Sequence, residues 1–300
     1  MLPTVRVSLA GSGAGGYIPT VAPPVIRKID VRAIMQRKNP ALAERLPGFA
    51  HRLIARLVHQ DELNEGMERL AGTHGLVFVR RVLEFLDVEV EVRGASRIPL
   101  RGRITVCANH PLGGLDGLGL LDCIGSLRGE VKAPANDMLM ELGPLHELLV
   151  PVDKSGPNTA HIPRYLSLFA GEDPVLVFPA GRTSRPRRGR LREYPWSRSF
   201  VLQSRRNART IVPIHVGGRN SALFYLCWRL RRLLGIRPIL EQVLLPRELL
   251  KKKGSRLVLT VGRPVAPERL ADGRSAARWA AELERYVARL GLEGVQACSP

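Results

Sequence analysis

The chain has 300 residues, of which 45% are hydrophobic and 24% charged, and its mean hydropathy is -0.04. This composition is typical of a folded globular protein and excludes a disordered chain, a collagen-like repeat and a coiled coil. The 46 Lys and Arg against 27 Asp and Glu give a net charge of +19, which indicates an acidic partner: nucleic acid, an anionic membrane surface or an acidic carrier protein.

The four cysteines are far apart and form no Cys-x-x-Cys pair, so the sequence predicts neither a zinc site nor a disulfide framework. They are Cys107, Cys123, Cys227 and Cys298. The chain does not open on a basic segment followed by an apolar one, and no apolar run approaches the roughly 18–20 residues that cross a bilayer. We therefore expect no signal peptide, no transmembrane helix and no metal.

The N-terminal third is predicted to contain an irregular arm and then helices. Residues 1–30 are rich in Gly and Pro without periodicity, and the Gly-rich run 11–16 lacks the strand and helix that a phosphate-binding loop needs. In residues 31–87 apolar side chains recur at helical spacing, which predicts an N-terminal helical subdomain. Pro40 suits a first turn, and Asp61 is a candidate N-cap.

Residues 88–292 are predicted to form an α/β domain, with a C-terminal tail over 293–300. Val88, Val90 and Val92 alternate with charged residues, as in a strand with one wet face. Short apolar runs then alternate with helical segments. The further strands are predicted at 104–108, 175–178, 211–216 and 257–261, and the helices at 115–127, 165–170, 221–234 and 276–290, the last with Gly291 as its C-cap. This alternation predicts an α/β fold with a mainly parallel sheet flanked by helices.

A candidate catalytic pair follows the strand predicted at 104–108. Residues 109–117 read Asn-His-Pro-Leu-Gly-Gly-Leu-Asp-Gly, at the strand end where sites collect in open α/β sheets. Asp116 can accept a hydrogen bond from one imidazole nitrogen of His110, which leaves the other nitrogen as a general base toward a hydroxyl. The glycines let backbone amides approach a ligand as oxyanion donors. The structural alternative makes Asp116 a helix N-cap and His110 an ordinary turn residue.

A second segment repeats this design. Residues 175–185 read Val-Leu-Val-Phe-Pro-Ala-Gly-Arg-Thr-Ser-Arg, a strand and a Pro-Gly turn followed by cationic groups. Arg182 and Arg185 are candidate clamps for an anion. Four more arginines lie between residues 187 and 192, so a solvated basic loop is the alternative.

Together the two segments resemble the signature of the glycerolipid acyltransferase superfamily, Asn-His-x4-Asp followed downstream by Phe-Pro-Glu-Gly-Thr-Arg. The resemblance covers most of the chain from about Asp30. Residues 59–64, His-Gln-Asp-Glu-Leu-Asn, and residues 109–117 are similar to a bacterial branch often labelled hemolysin. That branch includes O-acyltransferases that complete ornithine and glycine lipids.

The resemblance implies a reaction. His110 would deprotonate an acceptor hydroxyl while Asp116 orients the imidazole, and the alkoxide would attack the thioester of an acyl carrier protein or coenzyme A. Amides near Gly113 and Gly114 would stabilise the tetrahedral oxyanion. No cofactor, metal or covalent enzyme intermediate is then needed. The implied protein is a peripheral O-acyltransferase of lipid biosynthesis at the cytoplasmic face of the inner membrane, acting on a lyso-lipid.

The sequence departs from the superfamily signature in two places. Five residues, not four, separate His110 from Asp116, so the turn must bulge by one residue for the pair to meet. Ala180 replaces the Glu of the second motif, and Thr183 occupies the place of its phosphate-binding Arg. These changes favour a lyso-amino-acid lipid of the ornithine- or glycine-lipid type as acceptor, with 1-acylglycerol-3-phosphate as the alternative.

The residues expected to bind substrate lie at strand ends or in the loops that follow. They are Asn109, Gly113, Gly114, Lys154, Gly181, Arg182, Ser184 and Arg185. Lys154 closes a segment, Leu149–Lys154, that resembles the superfamily's middle block, where a cation closes the acceptor pocket. The helix predicted at 221–234 interleaves leucines with arginines, a pattern typical of a helix in a membrane interface; a core helix is the alternative.

Two classes of function remain open from the sequence. In the first, the basic chain binds an anionic membrane surface, an acyl carrier protein and a lyso-lipid acceptor. In the second, it is a non-catalytic protein that binds nucleic acid or membrane through the ten arginines between residues 182 and 209. Aromatic residues make up only 5% of the chain and no nucleic-acid motif is present, so we expect no nucleic-acid partner.

Overall fold

A six-stranded β-sheet with helices on both faces forms the centre of the computed structural model, which describes residues 4–6, 30–38, 40–135, 137–140, 142–152, 161–187, 189–235 and 240–296. The strands are β1 (Thr4–Arg6), β2 (Glu89–Arg93), β3 (Ile104–Ala108), β4 (Ala133–Ala135), β5 (Leu149–Pro151), β6 (Val175–Val177), β7 (Arg185–Arg187), β8 (Arg190–Arg192), β9 (Thr210–Val216) and β10 (Arg256–Val261). The helices are α1 (Val31–Lys38), α2 (Pro40–Arg45), α3 (Gly48–Leu57), α4 (Gln60–Arg69), α5 (Gly75–Phe85), α6 (Gly114–Arg128), α7 (Asp137–Met140), α8 (His161–Ala170), α9 (Ser199–Arg206), α10 (Ala222–Leu233), α11 (Leu245–Leu250), α12 (Pro267–Leu270) and α13 (Ala276–Gln296).

The main sheet has the order β1-β2-β10-β9-β3-β6. The pairs β2/β10, β9/β3 and β3/β6 are parallel, while β1/β2 and β10/β9 are antiparallel. This confirms the predicted α/β class with a mainly parallel sheet. Two short ribbons, β4/β5 and β7/β8, complete the strand pairing of the described residues.

Strand β3 lies inside the sheet, with all five residues buried. Ile104, Val106 and Ala108 belong to a hydrophobic core shared with α5 and α6, while Cys107 belongs to a second core shared with α8, α9 and α13. Helices cover both faces, and accordingly four of the five residues of the strand are apolar, with Thr105 as the one polar residue. The carboxyl end of β3 is therefore held between β9 and β6.

Helices α1 to α5 fill the region predicted as a helical subdomain, and Pro40 begins α2 as expected. The predicted N-cap Asp61 is a correction: α4 begins at Gln60 after His59, so Asp61 lies inside the first turn. Within the arm predicted to be irregular, Thr4–Arg6 forms the edge strand β1, because backbone pairing to β2 needs no side-chain pattern. The rest of the arm lies outside the described residues.

The last helix extends beyond its predicted end. We expected Gly291 to cap it, and this was wrong, since α13 continues to Gln296. Gly291 instead allows close packing: a Cβ there would lie 2.3 Å from His215 Nε2 on β9. Burial under the helix lowers the pKa of His215 to about 4, so this imidazole is neutral at neutral pH.

Candidate active site

Asn109, the first residue after β3, fastens the candidate site to the sheet. Its Nδ2 donates to the carbonyl oxygen of Val216 at 2.9 Å, and the Val216 N–H donates to its Oδ1 at 2.7 Å. These two bonds tie the end of β3 to the end of β9. The amide predicted to bind substrate is thus engaged with backbone, and it fixes where the next residue begins.

His110 and Asp116 meet at this strand end. The imidazole Nδ1 lies 3.0 Å from Asp116 Oδ2; Asp116 is fully buried, and the His110 side chain is 20% exposed. The distance is that of a hydrogen bond, but the ring N–H is not directed at the oxygen, so in this geometry the contact is electrostatic. The arrangement leaves the imidazole beside a buried carboxylate and partly exposed to solvent.

The Asp116 carboxylate is stabilised by the turn that it closes. Its Oδ2 accepts the backbone N–H groups of Leu112 at 2.8 Å and Gly113 at 3.0 Å, and the residue lies in the first turn of α6, where the helix dipole favours negative charge. Asp116 Oδ1 is buried without a hydrogen-bond partner among the described residues. The alternative that makes Asp116 the N-cap is wrong, because Gly113 is the N-cap and Asp116 is the third residue of α6, from which its carboxylate caps the backbone of the turn. The predicted catalytic role of Asp116 stays a prediction.

The one-residue bulge required by the longer spacing is present, and Gly113 carries it. This residue has a φ of 91°, in a region that favours glycine. A Cβ at this position would also come within 2.8 Å of the Leu245 side chain at the start of α11. Asp116 can reach the imidazole because the turn contains a residue without a side chain.

The imidazole is restrained by an aromatic ring and by its own backbone. Phe178, directly after β6, stacks on it with ring centroids 4.1 Å apart and planes inclined by 26°. The Ser184 N–H donates to the His110 carbonyl oxygen at 2.8 Å. Gly181, with a φ of 64°, forms the turn between Phe178 and Ser184. The second motif therefore supports the first from the neighbouring strand.

Glu193 completes the site and is the residue that sequence reasoning missed. The Ser184 hydroxyl donates to its carboxylate, and the His110 backbone N–H lies close enough to stabilise the same group. Burial nevertheless raises the pKa of Glu193, more than the hydrogen bonds and the imidazole lower it. The available signal was its isolation, a single acid among ten arginines between residues 182 and 209.

The two arginines predicted as anion clamps differ in their surroundings. Arg185 is 2% exposed, donates to Glu241 at 3.0 Å, and stacks its guanidinium over Phe224 at 4.8 Å. Glu241 is also bound by Arg231 at 2.8 Å, so Arg185 is part of an internal ion-pair network. Arg182 is exposed, with its guanidinium 5.8 Å from the Tyr194 ring. We therefore correct the assignment of Arg185, since only Arg182 presents its charge to solvent.

Several other features limit where the chemistry lies. Burial raises the pKa of Cys123 to about 12 and that of Cys107 further, so neither thiol is a nucleophile near neutral pH.

Two surface hollows, one beside Asp122 and one along α3, are lined by neither His110 nor Asp116, and the acyl-chain site stays a prediction. Lys154 lies outside the described residues.

A search of the described helices found none with the length and apolar character needed to span a bilayer. Among the same residues, no group of three or more His, Cys, Asp or Glu side chains is placed to hold a metal ion.

Comparison with known proteins gives consistent matches over most of the chain. A family model described as acyltransferase matches residues 33–288. A lyso-glycine lipid O-acyltransferase of Bacteroides thetaiotaomicron is 34% identical over 264 residues, which are 87% of this chain and 97% of the relative. One of Phocaeicola vulgatus is 33% identical over 264 residues, 87% of this chain and 95% of the relative. The structure of a 1-acyl-sn-glycerophosphate acyltransferase of Thermotoga maritima is similar with a TM-score of 0.46 and 15% identity, over 74% of this chain and 83% of that one.

Proposed function

This chain belongs to the acyltransferase family, and from that premise we propose that it transfers a fatty acyl chain from a thioester to the hydroxyl of a lyso-amino-acid lipid. The acceptor is of the glycine-lipid type, an amino acid whose amide-linked acyl chain carries a free hydroxyl. The observation that carries the mechanism is the His110–Asp116 pair at the carboxyl end of β3. Both similar relatives are named for this acceptor and for O-acyl transfer.

In the proposed reaction His110 is the general base. Its Nε2 takes the proton of the acceptor hydroxyl, and the oxygen forms a bond to the thioester carbonyl carbon. Collapse of the tetrahedral intermediate breaks the C–S bond, and the imidazolium returns its proton to the leaving thiolate. The nearby Asp116 carboxylate stabilises the imidazolium, and the bond to be made is brought within reach by binding both substrates at one strand end.

The oxyanion of the intermediate needs backbone donors. The Gly113 N–H donates to Asp116, so within the predicted glycine pair we assign the oxyanion to the Gly114 N–H in the first turn of α6. The donor is an acyl thioester of acyl carrier protein or coenzyme A, and the net charge of +19 suits an acidic carrier. Arg182 is exposed and directly follows Gly181 in the turn after β6, and we assign the acceptor carboxylate to it.

Peripheral membrane binding is the second part of the proposal, and α10 supports it. One side of this helix is core, with Phe224, Tyr225 and Trp228 buried. Leu226, Leu230 and Leu233 are 50%, 46% and 82% exposed, and arginines accompany them along the helix. Leucines at a membrane surface with arginines among anionic headgroups are the pattern of an interfacial helix. We place this surface at the cytoplasmic face of the inner membrane.

One assay tests the acceptor and the donor together. Purified protein is given acyl carrier thioester or acyl-coenzyme A with each of three acceptors: an N-(hydroxyacyl)glycine, its ornithine counterpart and 1-acylglycerol-3-phosphate. We expect the glycine acceptor to gain the mass of one acyl chain, and an N-acylglycine without the hydroxyl to remain unchanged. Acylation of 1-acylglycerol-3-phosphate alone would overturn the proposed acceptor.

A further inference from the structure

Glu193 is connected to the His110 backbone by hydrogen bonds through Ser184. Ser184 donates its N–H to the His110 carbonyl oxygen at 2.8 Å and its hydroxyl to the Glu193 carboxylate. The His110 N–H stabilises the same carboxylate. The His110 carbonyl is thus held by Ser184, which Glu193 holds in turn, and both residues lie more than 70 positions away in the chain.

Burial of the Glu193 carboxylate is energetically unfavourable. The residue as a whole is half-buried, but its Oε2 is enclosed and has no hydrogen-bond partner among the described residues. Asp116 adds a like charge nearby, and burial dominates the raised pKa. A neutral side chain of the same shape would avoid the cost of enclosing this charge. Costly groups of this kind concentrate at functional sites, because function and stability make different demands on the same residue.

We infer that Glu193 is a positioning residue for His110 in acyl transfer. Its carboxylate accepts the Ser184 hydroxyl, and Ser184 donates its N–H to the His110 carbonyl oxygen, so Glu193 restrains the backbone of the base through Ser184. Phe178 limits the side-chain torsions of the imidazole by stacking on one face. This inference rests on the proposed function in one respect, namely that His110 is the base.

The test compares Glu193→Ala and Glu193→Gln with a matched control, Glu284→Gln. Glu284 is also an acid whose pKa is raised by burial and which accepts a backbone N–H, that of Trp196, but it lies on α13. Misplacing a catalytic group by about 1 Å costs on the order of 100-fold in rate, so we expect Glu193→Ala to lower kcat per folded molecule by about 100-fold, with KM for the acceptor changed less than threefold. Glu193→Gln keeps an oxygen to accept the Ser184 hydroxyl and should retain kcat within about tenfold of the wild type. The control should match the wild type.

Each alternative result has a defined meaning. A folded Glu193→Ala protein with wild-type kcat, or one in which only KM rises, overturns the positioning role. If Glu193→Ala does not fold, Ser184→Ala replaces it: removing the hydroxyl that binds Glu193 should lower kcat about tenfold, and an unchanged kcat overturns the inference. Full activity of a His110→Ala protein would instead disprove the proposed base, whatever Glu193 does.

Discussion

At the scale of single residues, the candidate site is one imidazole, that of the proposed base His110, restrained by contacts on several sides. Asp116 faces Nδ1 of His110, Phe178 covers one ring face, and Ser184 with Glu193 holds the backbone. The common effect of these contacts is to restrict the imidazole. In the proposed reaction this keeps one ring nitrogen directed at the acceptor hydroxyl, which is how enzymes convert a bimolecular encounter into a rapid step.

The first prediction concerns the base itself. We expect His110→Ala to reduce acyl transfer by about 100- to 10,000-fold, because general base catalysis contributes that range. Asp116→Asn should also lower kcat severely, since it removes the charge that stabilises the imidazolium and disturbs the ring orientation. Product formation from acyl thioester, followed by mass spectrometry, measures both.

Binding of the two variants to anionic vesicles is the control for these losses. It should stay at the wild-type level, because neither residue lies on the exposed face of α10. A His110→Ala enzyme with near-normal turnover is the outcome that contradicts this assignment.

The second prediction concerns the pH dependence of stability at Glu193. Burial raises the pKa of this group above its ordinary value of 4.5, so its contribution to stability is fully present below that pH and is lost as pH rises through the folded-state pKa. The glutamine variant has no such titration. The free energy of unfolding, measured with urea, should therefore increase for Glu193→Gln relative to the wild type as the pH rises from about 4.5. A difference that stays constant between pH 4 and pH 8 would contradict the raised pKa.

At the scale of elements, the segment between β9 and β10 is tied to the active site. Its helix α10 contributes Arg231, and the short 3-10 helix Leu240–Leu244 contributes Glu241. Glu241 accepts from Arg231 and from Arg185, which follows the Ser184 that holds His110. Its helix α11 begins at Leu245, whose side chain lies against the bulge at Gly113. The segment that exposes leucines therefore also packs on the turn at Gly113 in the candidate site.

The third prediction tests this ion-pair network. Glu241 is 1% exposed and Arg185 2% exposed, so Glu241→Gln leaves a buried guanidinium without its counter-charge. Breaking such a buried pair costs about 3–5 kcal/mol, and we expect a loss of that size in the free energy of unfolding by urea. Glu172→Gln is the control, because Glu172 pairs with Arg103 at the surface and exposed pairs contribute about 0–1 kcal/mol. An equal loss in the free energy of unfolding for the two variants would show that the Arg185–Glu241 pair contributes no more than a surface pair.

The elements also show what sequence alone could and could not predict. The predicted bounds of β3 were correct because a central strand covered on both faces is a largely apolar segment. The pairing of His110 with Asp116 was accessible because both lie in one turn. The role of Glu193 could not be predicted in this way. Glu193 lies 83 residues after His110, and it approaches His110 only because the intervening chain folds back to the end of β3. Arg185 was misassigned for the same reason: its partner Glu241 is 56 residues away, and no local pattern reveals it.

At the scale of the whole molecule, charge and apolar surface give two separable contributions to membrane binding. The net charge of +19 acts at long range and is screened within about 10 Å at 0.1 M salt. The exposed leucines of α10 act only on contact, and salt does not weaken them. The relative size of the two contributions is therefore measurable by varying ionic strength with and without the leucines.

The fourth prediction follows from this separation. At low salt both the wild type and the triple variant Leu226→Ser, Leu230→Ser, Leu233→Ser should bind anionic vesicles, because the charge is intact. At about 0.5 M NaCl, where screening shortens electrostatic reach to a few ångströms, the triple variant should dissociate while the wild type remains partly bound. Leu100→Ser is the control, since Leu100 is 66% exposed but lies outside α10 and should bind as the wild type does. Co-sedimentation with vesicles measures the bound fraction, and identical salt curves for wild type and triple variant would mean that the leucines of α10 do not enter the membrane.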